Sequence, residues 1–142
     1  MQMNEHANPT PAELKLVFEI HANLCKALAN KHRLAIIYTL GQGEMCVTDL
    51  ATEIGVPIHN VSQHLRILQE RLLVQSRRDG KRVYYFIANF KFIQGCTLIR
   101  QALVEQHRAS NQTLMTADLM DAVARIPRPG LEGETPDDPN DF

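Results

Sequence analysis

Apolar residues recur three and four positions apart along most of the chain, a spacing that predicts helices. From Pro11 to Ala29 the stripe is Leu14, Val17, Phe18, Leu24 and Leu28, and Pro11 suits a first helical turn. Asn30 can cap a second helix carrying Leu34, Ile37 and Leu40, which Gly41 and Gly43 end. A third begins near Val47 or Thr48, turns Val47, Leu50, Ala51 and Ile54 inward and stops at Gly55. After Gly55-Val56-Pro57 a fourth runs from about His59 to Arg71 with Val61, Leu65, Leu68 and Leu72 on its inner face. Two helices joined by a short glycine-containing turn make a helix-turn-helix.

The period then changes. Leu73 to Arg77 and Arg82 to Ile87, rich in Val, Tyr, Phe and Ile, flank Arg78-Asp79-Gly80-Lys81, and Asp-Gly between such runs predicts a two-stranded hairpin. Two strands cannot enclose a core, so the hairpin is expected to lie against the helices as a protruding wing. Helical spacing returns from Ile93 to about Ala109 through Leu98, Ile99, Ala102 and Leu103, and a further helix is predicted over 113–126. The expected organisation is a flexible N-terminus over 1–10, a mainly α winged helix-turn-helix domain with a β-hairpin wing over 11–109, an additional helix within 110–126, and a disordered acidic tail over 127–142. No internal repeat is visible.

Composition narrows the class. With 142 residues, 44% of them apolar, the chain can bury a core, which excludes a wholly disordered protein. No stretch is apolar enough for a signal peptide or a membrane span, so a cytoplasmic protein without membrane partners is expected. Cys25, Cys46 and Cys96 are odd in number and widely spaced, which fits a reducing compartment better than a disulfide framework.

The net charge of -1 conceals segregation. Between Pro57 and Arg100 stand eight basic residues, Arg66, Arg71, Arg77, Arg78, Lys81, Arg82, Lys91 and Arg100, against Glu70 and Asp79, a surplus of six positive charges. Glu132, Glu134, Asp137, Asp138 and Asp141 near the end of the chain offset it. A basic middle can meet phosphates whatever the total.

The inward stripe of the fourth helix turns His59, Asn60, Ser62, Gln63 and Arg66 outward, with His64 beside them. Such donors and acceptors suit base edges, an α-helix fits the major groove, and the first residues of a recognition helix reach deepest, so His59, Asn60 and Gln63 are the expected base readers. Arg66, Arg77, Arg78, Lys81 and Arg82 are expected on phosphates or, at the hairpin tip, in a minor groove. Polar residues on an amphipathic helix are often merely solvated; here recognition helix, wing and charge surplus fall in one uninterrupted stretch. His6, His21 and His107 are assigned no role.

From Leu24 to about Gln106 the chain resembles the ArsR/SmtB family of winged-helix repressors. Lys26-Ala27-Leu28-Ala29-Asn30-Lys31-His32-Arg33-Leu34 is similar to the family's entry into its second helix. Val61-Ser62-Gln63-His64-Leu65-Arg66-Ile67-Leu68 resembles its recognition helix, and Leu73-Val74 with Arg77 to Tyr85 resembles its wing. The resemblance implies a homodimer, packed through the first helix and the helix after the wing, that sets two recognition helices on a palindromic operator. The two apolar helices flanking the reading head independently offer more apolar surface than a small monomer readily hides.

The resemblance also implies release from DNA by a metal, a metalloid or an oxidant, but this chain departs from the family's ligand patterns. The metalloid motif near Cys46 wants a second cysteine where Thr48 stands. The positions of the dimerisation-helix zinc site are Asn89, Lys91, Ala102 and Glu105, and those of the redox thiol pair are Tyr38 and Val104. Soft ions need several sulfur ligands, so Cys46 is expected to act with Cys96 or Cys25 as a noncognate site for a thiophilic ion or an oxidant, with no cofactor required. On their own helices Cys25 and Cys96 read as core positions. An enzyme is not expected, since no phosphate loop, nucleophile motif or metalloprotease helix is present. The alternative is a winged-helix protein-docking module, which would show no salt-sensitive DNA binding.

Overall fold

A computed structural model describes residues 8–110 and Ala122. His6, the tail over 127–142 and, Ala122 apart, the helix predicted over 113–126 lie outside the described residues.

The chain builds α1 (Pro11–Leu28), α2 (Lys31–Gly41), β1 (Met45–Cys46), α3 (Val47–Ile54), α4 (Ile58–Glu70), β2 (Val74–Asp79), β3 (Arg82–Ile87) and α5 (Lys91–Ser110). Local chemistry sets the helix starts. Thr10 and Glu13 form a capping box on α1, the Thr10 amide donating to Glu13 Oε2 at 2.7 Å and the Glu13 amide to Thr10 Oγ1 at 3.3 Å. The Thr10 amide and the Thr10 hydroxyl, which donates to Glu13 Oε2 at 2.8 Å, hold the Glu13 carboxyl below the usual carboxylate range. Asn30 Oδ1 accepts from the amides of His32 and Arg33 and so caps α2. Gly55, at φ 68°, gives α3 its left-handed stop.

The core forms where these elements meet: Ile36, Ile37 and Leu40 of α2, Leu50 of α3, Val61, Leu65 and Leu68 of α4, then Leu73, Val74, Ile87 and Ile93. Val47 and Ile54 are partly buried at its edge. Leu72, expected on the inner face of α4, is instead 73% exposed. The helix ends at Glu70, and Leu72 turns the chain at φ 59°, alone among the described non-glycine residues in having a positive φ. That turn delivers the next residue, Leu73, to the core, where its amide bonds the Leu68 carbonyl.

The expected two-stranded wing is a three-stranded antiparallel sheet in the order β1-β3-β2. Met45 and Cys46 pair with Tyr85 and Tyr84, a strand too short to be visible as a periodic pattern. Asp79 opposes Arg82, so the turn is Gly80-Lys81, with Gly80 at φ 60°. A glycine with positive φ at the first central position is the requirement of a type II′ hairpin turn. The last helix starts at Lys91, two residues before the expected Ile93.

Almost all of α1 is exposed in a single protomer: Leu16, Val17, Phe18 and Ile20 stand free, as do Leu98, Ile99 and Leu103 of α5. Cys25, expected in the core, is exposed too, because Ala27, Leu24 and Leu28 are the residues through which α1 meets the core.

Candidate nucleic-acid interface

Burial of Val61, Leu65 and Leu68 fixes the rotation of α4 and leaves His59, Ser62, Gln63 and Arg66 exposed. Asn60 is half-buried on the flank of that face. At the start of α4, Pro57 supplies no side-chain cap, and its carbonyl accepts from the amides of Asn60 and Val61. The wing is tied to the recognition helix by Gln69 Nε2, which donates to Ser76 Oγ at 3.1 Å.

His64, expected with the outward set, is half-buried against α2, its ring centroid 5.7 Å from that of His32 and its Nδ1 3.4 Å from Arg33 Nη1. Burial first, then the charges of Arg33 and His32, push its pKa below the ordinary histidine value.

The basic residues fall into two groups. Arg66 pairs with Glu70 at 3.3 Å on the exposed face of α4. Arg77 is gripped by Glu44, Nε donating to Oε2 at 2.8 Å and Nη2 to Oε1, while its guanidinium lies 4.8 Å above the Tyr84 ring. The pair holds Glu44 below the usual carboxylate range and raises Arg77 further. Glu44 was not legible as part of the site, because 33 residues separate it from Arg77 and only the β1-β3-β2 sheet brings them together. Arg78, Lys81 and Arg82 form no ion pair among the described residues and are exposed at the hairpin tip. Lys81, Arg82, Val83 and Tyr85 face Cys46, Val47, Thr48 and Asp49 across an open hollow of about 470 Å³. Thr48 thereby joins the basic tip, a second position that linear reading missed.

The three thiols differ in burial, Cys25 being exposed and Cys46 and Cys96 buried. Cys46 is buried at the mouth of that hollow, its Sγ 3.2 Å from Thr48 Oγ1. Cys96 is buried on α5, and burial pushes its thiol pKa up; nearby Arg100 opposes the shift, and the charge of Cys25 adds to it. Among the described residues no three His, Cys, Asp or Glu side chains converge to hold a metal ion. No helix among them is long and apolar enough to cross a membrane.

A helix-turn-helix followed by a basic antiparallel wing defines the winged helix-turn-helix class, and the solved structures agree. The homodimeric winged helix-turn-helix DNA-binding domain Mb0332 of Mycobacterium bovis superposes with a TM-score of 0.60 at 34% identity, covering 72% of this chain and 93% of that one. Residues 30–76 match the profile described as bacterial regulatory protein, arsR family. The nodulation protein NolR of Rhizobium meliloti is 38% identical over 84 residues, 59% of this chain and 69% of that protein. The chain belongs to the ArsR family, a family of transcriptional regulators rather than enzymes. The cadmium resistance transcriptional regulatory protein CadC of Listeria innocua is 41% identical over 69 residues, 48% of this chain; the match spans 58% of CadC's own length.

Proposed function

We propose that this protein is a dimeric transcriptional repressor that reads a palindromic duplex operator with α4 and grips its backbone with the wing. The observation that carries the reading is the placement of three cations that form no ion pair among the described residues, Arg78, Lys81 and Arg82, at the tip of a wing bonded to a helix whose exposed face is His59, Ser62, Gln63 and Arg66. His59, Asn60 and Gln63 are the base readers, Ser62 and Thr48 add hydroxyl donors to the phosphates, and the cations supply salt-sensitive affinity. The exposed apolar faces of α1 and α5 are the dimer surface, and a twofold axis there sets two α4 helices on half-sites one helical turn apart. The homodimeric relative from Mycobacterium bovis supports this assembly.

A thiol-reactive inducer, metalloid, metal ion or oxidant, releases the repressor. Cys46, buried beside the wing, acts with Cys96 or Cys25 as the sensing site. The protein works in the cytoplasm, where its DNA is. The test is titration of the purified protein against the DNA directly upstream of its own reading frame, at several salt concentrations and with arsenite, metals, peroxide and polysulfide in turn. Tight, salt-sensitive binding lost on thiol chemistry is expected; binding that ignores salt, or is absent, refutes the repressor reading.

A further inference from the structure

Arg33, in the first turn of α2, reaches two other helices. Its Nε donates to the Ala27 carbonyl and its Nη2 to that of Lys26 at 3.4 Å, both at the C-terminal end of α1. Its Nη1 lies 3.4 Å from Nδ1 of His64 in the middle of α4. A guanidinium has five N–H donors and no acceptor, so this contact exists only while Nδ1 keeps its lone pair and the ring proton sits on Nε2. A second proton would set N–H against N–H and cation against cation. His32 of α2 faces the same ring. Among the described residues, Arg33 and His32 are therefore the charged or titratable groups acting on His64; α1 contributes the Lys26 and Ala27 carbonyls, and no carboxylate of a described residue is bonded to the ring.

We propose that Arg33 and His64 are positioning residues that couple the recognition helix to the end of α1, through a link only a neutral His64 can make, so that acid uncouples α4 and weakens DNA binding. The inference rests on the DNA-binding reading above, and on α1 as a dimer helix: the link then fixes the angle of each α4 to the twofold axis. Its sign follows from the chemistry. The link is intact above the ordinary histidine pKa of about 6.5 and is lost as pH falls through the lower value His64 has in the fold.

Two measurements on the full chain test it. Imidazole ¹H–¹⁵N NMR without DNA should find His64 as the Nε2–H tautomer, titrating below an ordinary histidine and moving back up in Arg33→Leu; the Nδ1–H tautomer, or a titration indifferent to Arg33, overturns the link. Affinity for the duplex upstream of its own reading frame is then followed from pH 7.5 to pH 5 in wild type, His64→Asn and Arg33→Leu, each shown folded by circular dichroism. Asn Oδ1 can accept from Arg33 where Nδ1 did and cannot titrate. Wild type should lose about tenfold more affinity on acidification than His64→Asn, a loss on the scale of one charge-assisted hydrogen bond. Arg33→Leu should bind weakly throughout, without that step. Parallel profiles for wild type and His64→Asn overturn the proposal. A wild type that binds no duplex at any pH overturns the repressor reading and this coupling with it, while the NMR arm separately reports whether the bond exists.

Discussion

Glu44→Gln is expected to tighten DNA binding, although Glu44 lies outside both the recognition helix and the hairpin. Its carboxylate holds Arg77 through two hydrogen bonds on the exposed surface, so that of the arginines in β2 and its turn only Arg78 is free to meet a phosphate without first losing a partner. The substitution leaves one hydrogen-bond acceptor and removes the charge, adding one free cation per protomer and two per dimer. Each phosphate neutralised contributes about 0.9 to the slope of log affinity against log salt, so the dimer's slope should steepen by roughly 1.8. Between 50 and 200 mM salt the variant would then lose about twelvefold more affinity than wild type. Fluorescence anisotropy on the upstream duplex at four or five salt concentrations measures both slopes. An unchanged slope would mean that Arg77 does not face the phosphates, and the wing's docking orientation would have to be abandoned.

Other consequences are more local. Phe18, 62% exposed on α1, should become buried in the dimer; Phe18→Asp removes two such rings per assembly, roughly 3–6 kcal/mol of apolar burial, and sedimentation equilibrium should find the variant monomeric at micromolar concentration. Leu68→Ala empties a fully buried core position and should cost about 2–5 kcal/mol in urea denaturation. Leu72→Gly relieves a left-handed leucine whose side chain buries little, and should raise stability by roughly 1 kcal/mol in the same assay; a loss would show that the exposed leucine packs against something in the assembled dimer.

Much of this molecule could be read from residues close together in the chain. Asn30 caps α2, Gly55 stops α3, and the spacing of Val61, Leu65 and Leu68 both makes α4 a helix and decides that Gln63 and Arg66 face outward. The hairpin and its glycine turn were legible for the same reason, since a period of two and a residue tolerant of positive φ act over a few positions. These features yield the winged helix-turn-helix and its basic tip without reference to distant residues.

What tertiary structure alone decided depends on partners far apart in sequence. Met45 and Cys46 are a strand only because β3 offers an open edge. Arg77 is occupied rather than free because that added strand carries the chain at Glu44 to the wing. His64 turns toward α2 rather than outward because Arg33, 31 residues earlier, bonds its ring. Cys25 is exposed because α1 touches the body of its own protomer through Leu24, Ala27 and Leu28. Helical and strand periods report which face of an element is apolar; they carry no information about which distant side chain will neutralise, cap or cover a given residue, and the contacts that ration this protein's positive charge are of that second kind.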